Sequence, residues 1–373
     1  MVFEKVKQAG LNLLGWRTNR KIVVFESDDW GCERIGHYEG VQDLEKMGIK
    51  PNVYLKTDHL ETNDDLQLLF DCLLQFKDIH GNHPLITANF IVANPDYEKI
   101  AGSDFNAYYY KVVTDGLHTD PNRDKVLQYW KTGYTQKLFW PQFHGREHVD
   151  VKRWMHLLQT NDPVARAGAQ CQTFIGTPNG IQRDGLNATF DLANLSAITE
   201  QASQIQDGLS IFKDIFGFTP KSFIAPAYTW HRNLEPHLRK HGIQYIQTLV
   251  QQTEPNPGHR AKYSHVFHYC GQKNKHGQYY LLRNSFFEPT INPGTDWVNY
   301  CLGRLKIAFL MKKPAIVGTH RINFMGFRSK NNRDQNLALF STLLKKITQT
   351  WPEVEFMSSD QLGDLIAGNK NND

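Results

Sequence analysis

The sequence has almost no surplus of either charge: 42 Lys and Arg stand against 38 Asp and Glu, leaving +4 over 373 residues. That balance excludes a polyanion-binding composition, so nucleic acid is not an expected partner. No apolar run approaches 18 residues, and no membrane-spanning helix is expected. Cysteine is sparse and scattered: the five, at 32, 72, 171, 270 and 301, are odd in number and form no CxxC. Reduced thiols are therefore expected in place of a disulfide framework. The opening MVFEKVKQAGLNLLGW lacks the basic-then-apolar run and small-residue cleavage site of a secretory signal, which predicts a cytoplasmic location. No internal repeat and no linker rich in Pro, Gly or Ser marks a boundary, so residues 1–373 are read as one domain. What is present is apolar material: 40% hydrophobic and 12% aromatic residues suffice for a sizeable core and exclude wholesale disorder.

Strand-like runs alternate with helical periods along the chain. Residues 21–25 (KIVVF), 85–92 (LITANFIV), 138–143 (LFWPQF), 221–228 (KSFIAPAY), 244–249, 279–287 and 314–320 (PAIVGTH) read as strands, with a last one near 354–357. Between them, Leu66, Leu69, Phe70 and Leu73 carry helical spacing, and Asp150 reads as the cap of a helix bearing Val151, Trp154, Met155 and Leu158. The longest helical stripe is 197–216, stopped by Gly217. Further helices are expected at 233–241, 297–311 and 334–350. This alternation predicts an α/β fold with a mainly parallel sheet, open or closed into a barrel. Three long connections, 94–137, 161–195 and 250–278, are expected to form walls of a site at the carboxyl ends of the strands.

Several strand ends carry residues that can do chemistry. The first runs into Asp28-Asp29-Trp30-Gly31, and adjacent carboxylates are comfortable only beside a cation or with a proton. Taken alone, an acidic turn with a capping Asp is the simpler reading. The third strand runs into His144-Gly145-Arg146-Glu147-His148, whose histidines at i and i+4 can converge on one transition-metal ion. The same letters spell the HxxEH zinc-peptidase pattern with Glu147 as base, but that pattern needs a helix, and the helix here is expected only near 151. Pro226, Tyr228 and Trp230 follow another strand, and His320 ends an apolar one. Each has a bland explanation, a proline turn or a hydrogen-bonded structural histidine. Four such strand ends in this order are harder to dismiss.

In that order the chain resembles the NodB-homology polysaccharide deacetylases, carbohydrate esterase family 4, over about residues 20–325. The family's TFDDG corresponds to ESDDWG with Asp28 and Asp29, and its H-[ST]-x-x-H to His144–His148. Its R-x-P-Y is partly matched by Ala225-Pro226-Ala227-Tyr228, its D-x-x-D-W is echoed by Asp296-Trp297, and its L-x-H by Gly318-Thr319-His320. The sequence departs from the family where Trp30 displaces the motif glycine to Gly31 and where Gly145 replaces Ser or Thr. The arginine that orients the base aspartate in the family has no counterpart beside Pro226; Arg283, near another strand end, could replace it in space.

The resemblance implies a NodB-like (β/α) barrel, incomplete or distorted, with seven or eight strands. It implies a metal-dependent hydrolase removing an N- or O-linked acetyl group from a carbohydrate or sugar precursor. Asp29, His144 and His148 would hold one divalent metal, zinc by default, Asp28 would be the general base and His320 the general acid. The backbone N–H of Tyr228 would stabilise the oxyanion. Trp30, Trp230, Arg283 and the Tyr108–Tyr110 run could meet the sugar, although ordinary packing explains aromatics equally well. The alternatives are a metal-independent C–N hydrolase on the same scaffold, a zinc peptidase, and a non-catalytic glycan-binding relative.

Overall fold

The computed structural model describes residues 12–177, 185–259 and 262–368. Eight parallel strands form the main sheet: β1 Lys21–Trp30, β2 Ile86–Ile91, β3 Phe139–Gly145, β4 Ser222–Ile224, β5 Tyr245–Thr248, β6 Tyr279–Leu282, β7 Ser285–Phe286 and β8 Ala315–His320. Their order is β6-β5-β4-β3-β2-β1-β8-β7, and a ninth strand, β9 Val354–Phe356, pairs with the start of β1. The run expected as one strand at 279–287 is broken in two. β6 pairs with β5, whereas β7 pairs with β8 at the opposite edge. The amides at the break make the same switch, Arg283 N–H reaching the Thr248 carbonyl and Asn284 N–H that of Ile316, each at 3.0 Å. One interrupted strand thus bridges both edges of the curled sheet, giving the distorted (β/α) barrel that the sequence predicts.

Side-chain alternation along the strands layers the barrel interior. At the amino-terminal end Ile22, Val24, Tyr245, Leu281 and Ile316 form an apolar plug, sealed by Leu362 of helix Ser359–Ala367. The next layer is polar and fully buried: Glu26, Asn89, Gln142, Ser222, Gln247 and Arg283. It is tied together by hydrogen bonds, Gln247 to Asn89 and Ser222, Ser222 to Gln142, and Asn89 to Asp28 at 2.8 Å. Such a ladder is tolerable only because its members are partnered; an unpaired buried amide costs about 1–3 kcal/mol. Above it lie Asp28, His144 and His320 at the carboxyl ends.

The outward-facing residues of the strands, such as Phe25, Phe90, Phe139, Phe143 and Phe223, pack under the surrounding helices. Helix Asn63–Leu74 begins in a Thr62–Asp65 capping box, helix Val151–Gln159 on the Asp150 cap, and helix Ala197–Phe216 stops at Gly217 with φ 80°. Among the described residues of the three long connections, those of 161–195 reach the site. Connection 94–137 folds into helices and half of a hairpin with Ala93–Pro95, and 250–278 holds a hairpin of Gln251–Pro255 with Tyr263–Phe267. Neither supplies a described residue to the cavity described next.

Candidate metal centre at the barrel mouth

A cavity of about 250 Å³ opens at the carboxyl ends of the strands, lined by Asp28, Asp29, Arg34, His144, His148, Tyr228 and His320. Asn52, Tyr54 and Leu55 close one side, and Thr173, Phe174, Ile175 and Asn187 another. Neighbouring residues on a strand normally face opposite ways, yet both aspartates enter the cavity. The register of β1 against β2 slips between Ser27 and Trp30, so Asp28 and Asp29 sit in a bulge, and Asp29 takes φ 75°. That conformation is strained for a side chain other than glycine. Gly31 follows at φ 76°, where an added Cβ would lie 2.2 Å from the Ile91 carbonyl. Gly145, at φ 147°, makes the turn that carries His148 back toward His144, which accounts for glycine where the related motif has Ser or Thr.

Asp29 Oδ1 lies 3.4 Å from His144 Nε2 and 3.1 Å from His148 Nε2. The three ligand atoms lie within 4.8 Å of one another, the one such group of three among the described residues. The donor chemistry fits a divalent transition metal. His144 Nδ1 is 2.9 Å from the Ile224 carbonyl, a contact that fixes the proton on Nδ1 and leaves the Nε2 lone pair facing the cavity. Burial, helped by Arg34, pushes His148 down to about 4, so it is a neutral imidazole. Burial opposes the charge of Asp29, but Arg34 and the histidines hold its carboxyl well below the ordinary range.

Two chains of alternating charge meet at the aspartates. In the first, Arg283 binds Glu26 at 2.7 Å and both oxygens of Asp28 at 2.6 and 2.7 Å; Asp28 lies 3.9 Å from His320, which binds Glu288 at 2.7 Å. In the second, Arg34 binds Asp29 at 2.7 Å and approaches Asp58 at 3.6 Å; Arg321 binds Asp58 at 3.1 Å and Glu61 at 2.7 Å. Each chain begins and ends in a carboxylate. Counted with every carboxyl ionised and His320 protonated, each chain has one more negative group than positive; burial works against that charge by pushing Glu26, Asp58 and Glu61 up. Burial opposes the charge on both Asp28 and His320. Arg283 nevertheless holds Asp28 below its ordinary value, and Glu288 pushes His320 up to about 9.

Other expected site residues lie elsewhere. Trp30 and Trp230 are both fully buried and line no part of the cavity: Trp30 donates to Ser27 and packs edge-on against Phe139, while Trp230 stacks on His268. The Tyr228 backbone N–H is engaged by the Ala225 carbonyl at 3.0 Å, because residues Pro226–Tyr228 form a tight 3-10 turn, and so it is not directed at an oxyanion. The Tyr228 hydroxyl is, by contrast, in the cavity and accepts from Arg283 at 2.9 Å. Tyr108 and Tyr110 pack beside Glu147 and Arg146, away from the cavity. Glu147 binds Arg146 at 2.8 Å in a loop between β3 and the helix, not on a helix beside the histidines, which removes the peptidase arrangement. Asp296 is an exposed helix cap. Sequence reasoning missed Arg34, Asn187, Tyr54, Glu26 and Glu288; only Glu26 had a local signal, being in phase with Asp28 along β1.

A sequence model described as glycosyl hydrolase family 57 matches residues 192–285, a stretch that includes Tyr228 and Arg283 but neither aspartate nor either histidine of the centre. No curated protein matches the chain. Among solved structures, a protein assigned as a glycoside hydrolase/deacetylase from Parabacteroides distasonis is similar at 8% identity and TM-score 0.52, over 96% of this chain and 74% of its own. It shows a shared fold. A 4-alpha-glucanotransferase from Thermococcus litoralis (10% identity, TM-score 0.46) aligns over 92% of this chain, which spans 40% of that enzyme's length. A Mycobacterium smegmatis protein assigned as a polysaccharide deacetylase (8%, TM-score 0.45) aligns over 95% of this chain and 93% of its own.

Proposed function

We propose that the chain is a carbohydrate-processing hydrolase, one barrel domain that removes an acetyl group from a sugar or sugar precursor with a divalent metal, zinc by default. The observation that carries this reading is the convergence of Asp29, His144 and His148 beside an aspartate held by arginine. An ion on those three ligands would polarise the acyl carbonyl and an attacking water. Asp28 is the base placed to take a proton from an attacking water. Its Oδ1 already accepts from Arg283 and Asn89, so Oδ2, which faces His320, is the oxygen with capacity left. The Tyr228 hydroxyl, accepting from Arg283, keeps its own hydrogen for the developing oxyanion, in the role first expected of its backbone N–H. His320, kept protonated by Glu288, gives its proton to the leaving nitrogen or oxygen.

A second reading, glycoside hydrolysis, is favoured by the match at 192–285. Glycosidases of the usual kind need two free carboxyl groups flanking the bond. Among the described residues the cavity offers two carboxyl groups, Asp28 and Asp29, each bound by an arginine, and residues 192–285 line it with Ala225, Ala227 and Tyr228. The deciding experiment supplies zinc to chelator-treated protein and offers acetylated mono- and oligosaccharides. Zinc-dependent acetate release supports deacetylation; reducing-end release without acetate would replace it with the glycosidase reading.

A further inference from the structure

Arg34 stands where a metal centre ordinarily has an acceptor. The two histidines of the centre differ in what holds the ring nitrogen turned away from the ion. His144 Nδ1 meets a carbonyl, the usual partner of a ligating imidazole. His148 Nδ1 instead lies 3.4 Å from Arg34 Nη1, and a guanidinium has no acceptor to offer. A neutral His148 ligating through Nε2 must carry its proton on Nδ1, facing an N–H. The arrangement that satisfies both groups is the metal-free one, with Arg34 donating to Nδ1 and Nε2–H donating to Asp29 Oδ1 at 3.1 Å. Arg34 also binds Asp29 Oδ2 at 2.7 Å and is itself held by Asn187 at 2.9 Å. It is buried, so its charge, shared with Asp58 at 3.6 Å, is felt more strongly than at the surface.

We infer that Arg34 is a positioning residue that stands in for the metal: it satisfies Asp29 and His148 when the site is empty and thereby makes the centre bind its ion weakly and reversibly. This rests on the metal reading proposed above. Two consequences separate it from a merely structural ion pair. Removing the guanidinium should tighten metal binding, because the competing cation and the opposed N–H disappear together. It should also destabilise the metal-free protein more than the metal-loaded one, because a buried Asp29 then loses its permanent counter-charge, which the ion restores.

The test compares zinc affinity, by competition with a chromophoric chelator, in the full-length chain and in Arg34→Gln and Arg34→Lys. Arg34→Gln is expected to bind zinc about tenfold more tightly or better, the effect of losing one strong charged contact, while Arg34→Lys stays near wild type. Zinc should raise the Tm of Arg34→Gln by more than it raises that of wild type. Unchanged or weaker zinc binding in a folded Arg34→Gln overturns the inference and leaves the metal reading standing. Absence of zinc binding in every form overturns both. Should Arg34→Gln not fold without metal, wild type decides: chelator-stripped wild type that unfolds cooperatively, within a few degrees of its zinc-loaded Tm, supports the role, and one that collapses on stripping refutes it.

Discussion

Replacing Arg283 with Met tests how the centre keeps its base ionised. The guanidinium has no exposed surface and binds two buried carboxylates, Glu26 at 2.7 Å and Asp28 at 2.6 Å. Breaking such a buried cluster from one side costs about 3–5 kcal/mol, since the partners keep their desolvation without their counter-charge. The sign with pH is specific. In the native protein Asp28 sits below its ordinary value, so its contribution to stability is present above about pH 4 and lost as pH falls further. Burial already pushes Glu26 up against the pull of Arg283; without that cation it raises Glu26 further and raises Asp28 as well, so the folded state prefers them protonated. Stability of Arg283→Met should therefore fall as pH rises, with a larger Tm deficit at pH 8 than at pH 5. Turnover near pH 7 should drop by about 100-fold, the lower range for loss of general-base catalysis. Part of it should return as pH rises toward 8 and Asp28 ionises, before His320 loses its proton near 9, a recovery that Asp28→Asn cannot show. Thermal melts and acetate release across pH 5–9 measure both. A Tm deficit independent of pH, together with a pH–rate profile superimposable on wild type, would refute the assignment of Arg283 to Asp28.

The His144→Ala, His148→Ala double variant should lose bound metal in elemental analysis while keeping its far-ultraviolet circular dichroism, because His144 sits at a strand end and His148 in the loop after it, above the layers that hold the barrel. Asp28→Asn should keep its metal and lose about 100-fold or more in turnover; near-normal acetate release would remove it as the base. His320 is raised to about 9 by Glu288 against the pull of burial, so its pairing stabilises the fold fully below about pH 6.5 and is lost as pH rises through 9. His320→Gln should accordingly lower Tm at pH 6 and leave it nearly unchanged at pH 10, which melts at the two pH values will decide. Gly31→Ala should cost about 1–3 kcal/mol by urea denaturation, since a Cβ there meets the Ile91 carbonyl at 2.2 Å and the backbone is left-handed.

Much of the architecture is legible in the sequence because it is local. A run such as Lys21–Phe25 or Ala315–Val317 is β-branched or aromatic enough to be a buried strand, and Asp150, Gly217 and the Leu66–Leu73 period mark helices through backbone capping and one-sided burial. That residues just past strands could meet was legible because parallel strands deliver their carboxyl ends to one mouth; the grouping of Asp29 with His144 and His148 came from the resemblance of their motifs to a known family. Tertiary structure alone decided the rest. That adjacent aspartates share a cavity depends on a bulge and a left-handed Asp29, which no residue pattern announces. That Arg283 lies on Asp28 depends on one strand changing edges at Arg283-Asn284, bringing together groups 255 positions apart. The Tyr228 N–H was lost to the site because a 3-10 turn closed on it, and Trp30 and Trp230 because large apolar rings gain more from burial than from a wet cavity wall. Arg34 is five residues from Asp29, yet its part appears only once His148 and Asn187 fold against it. Patterning along the chain determines which elements form and which ends carry chemistry; charge pairing between distant segments determines what each of those groups can do.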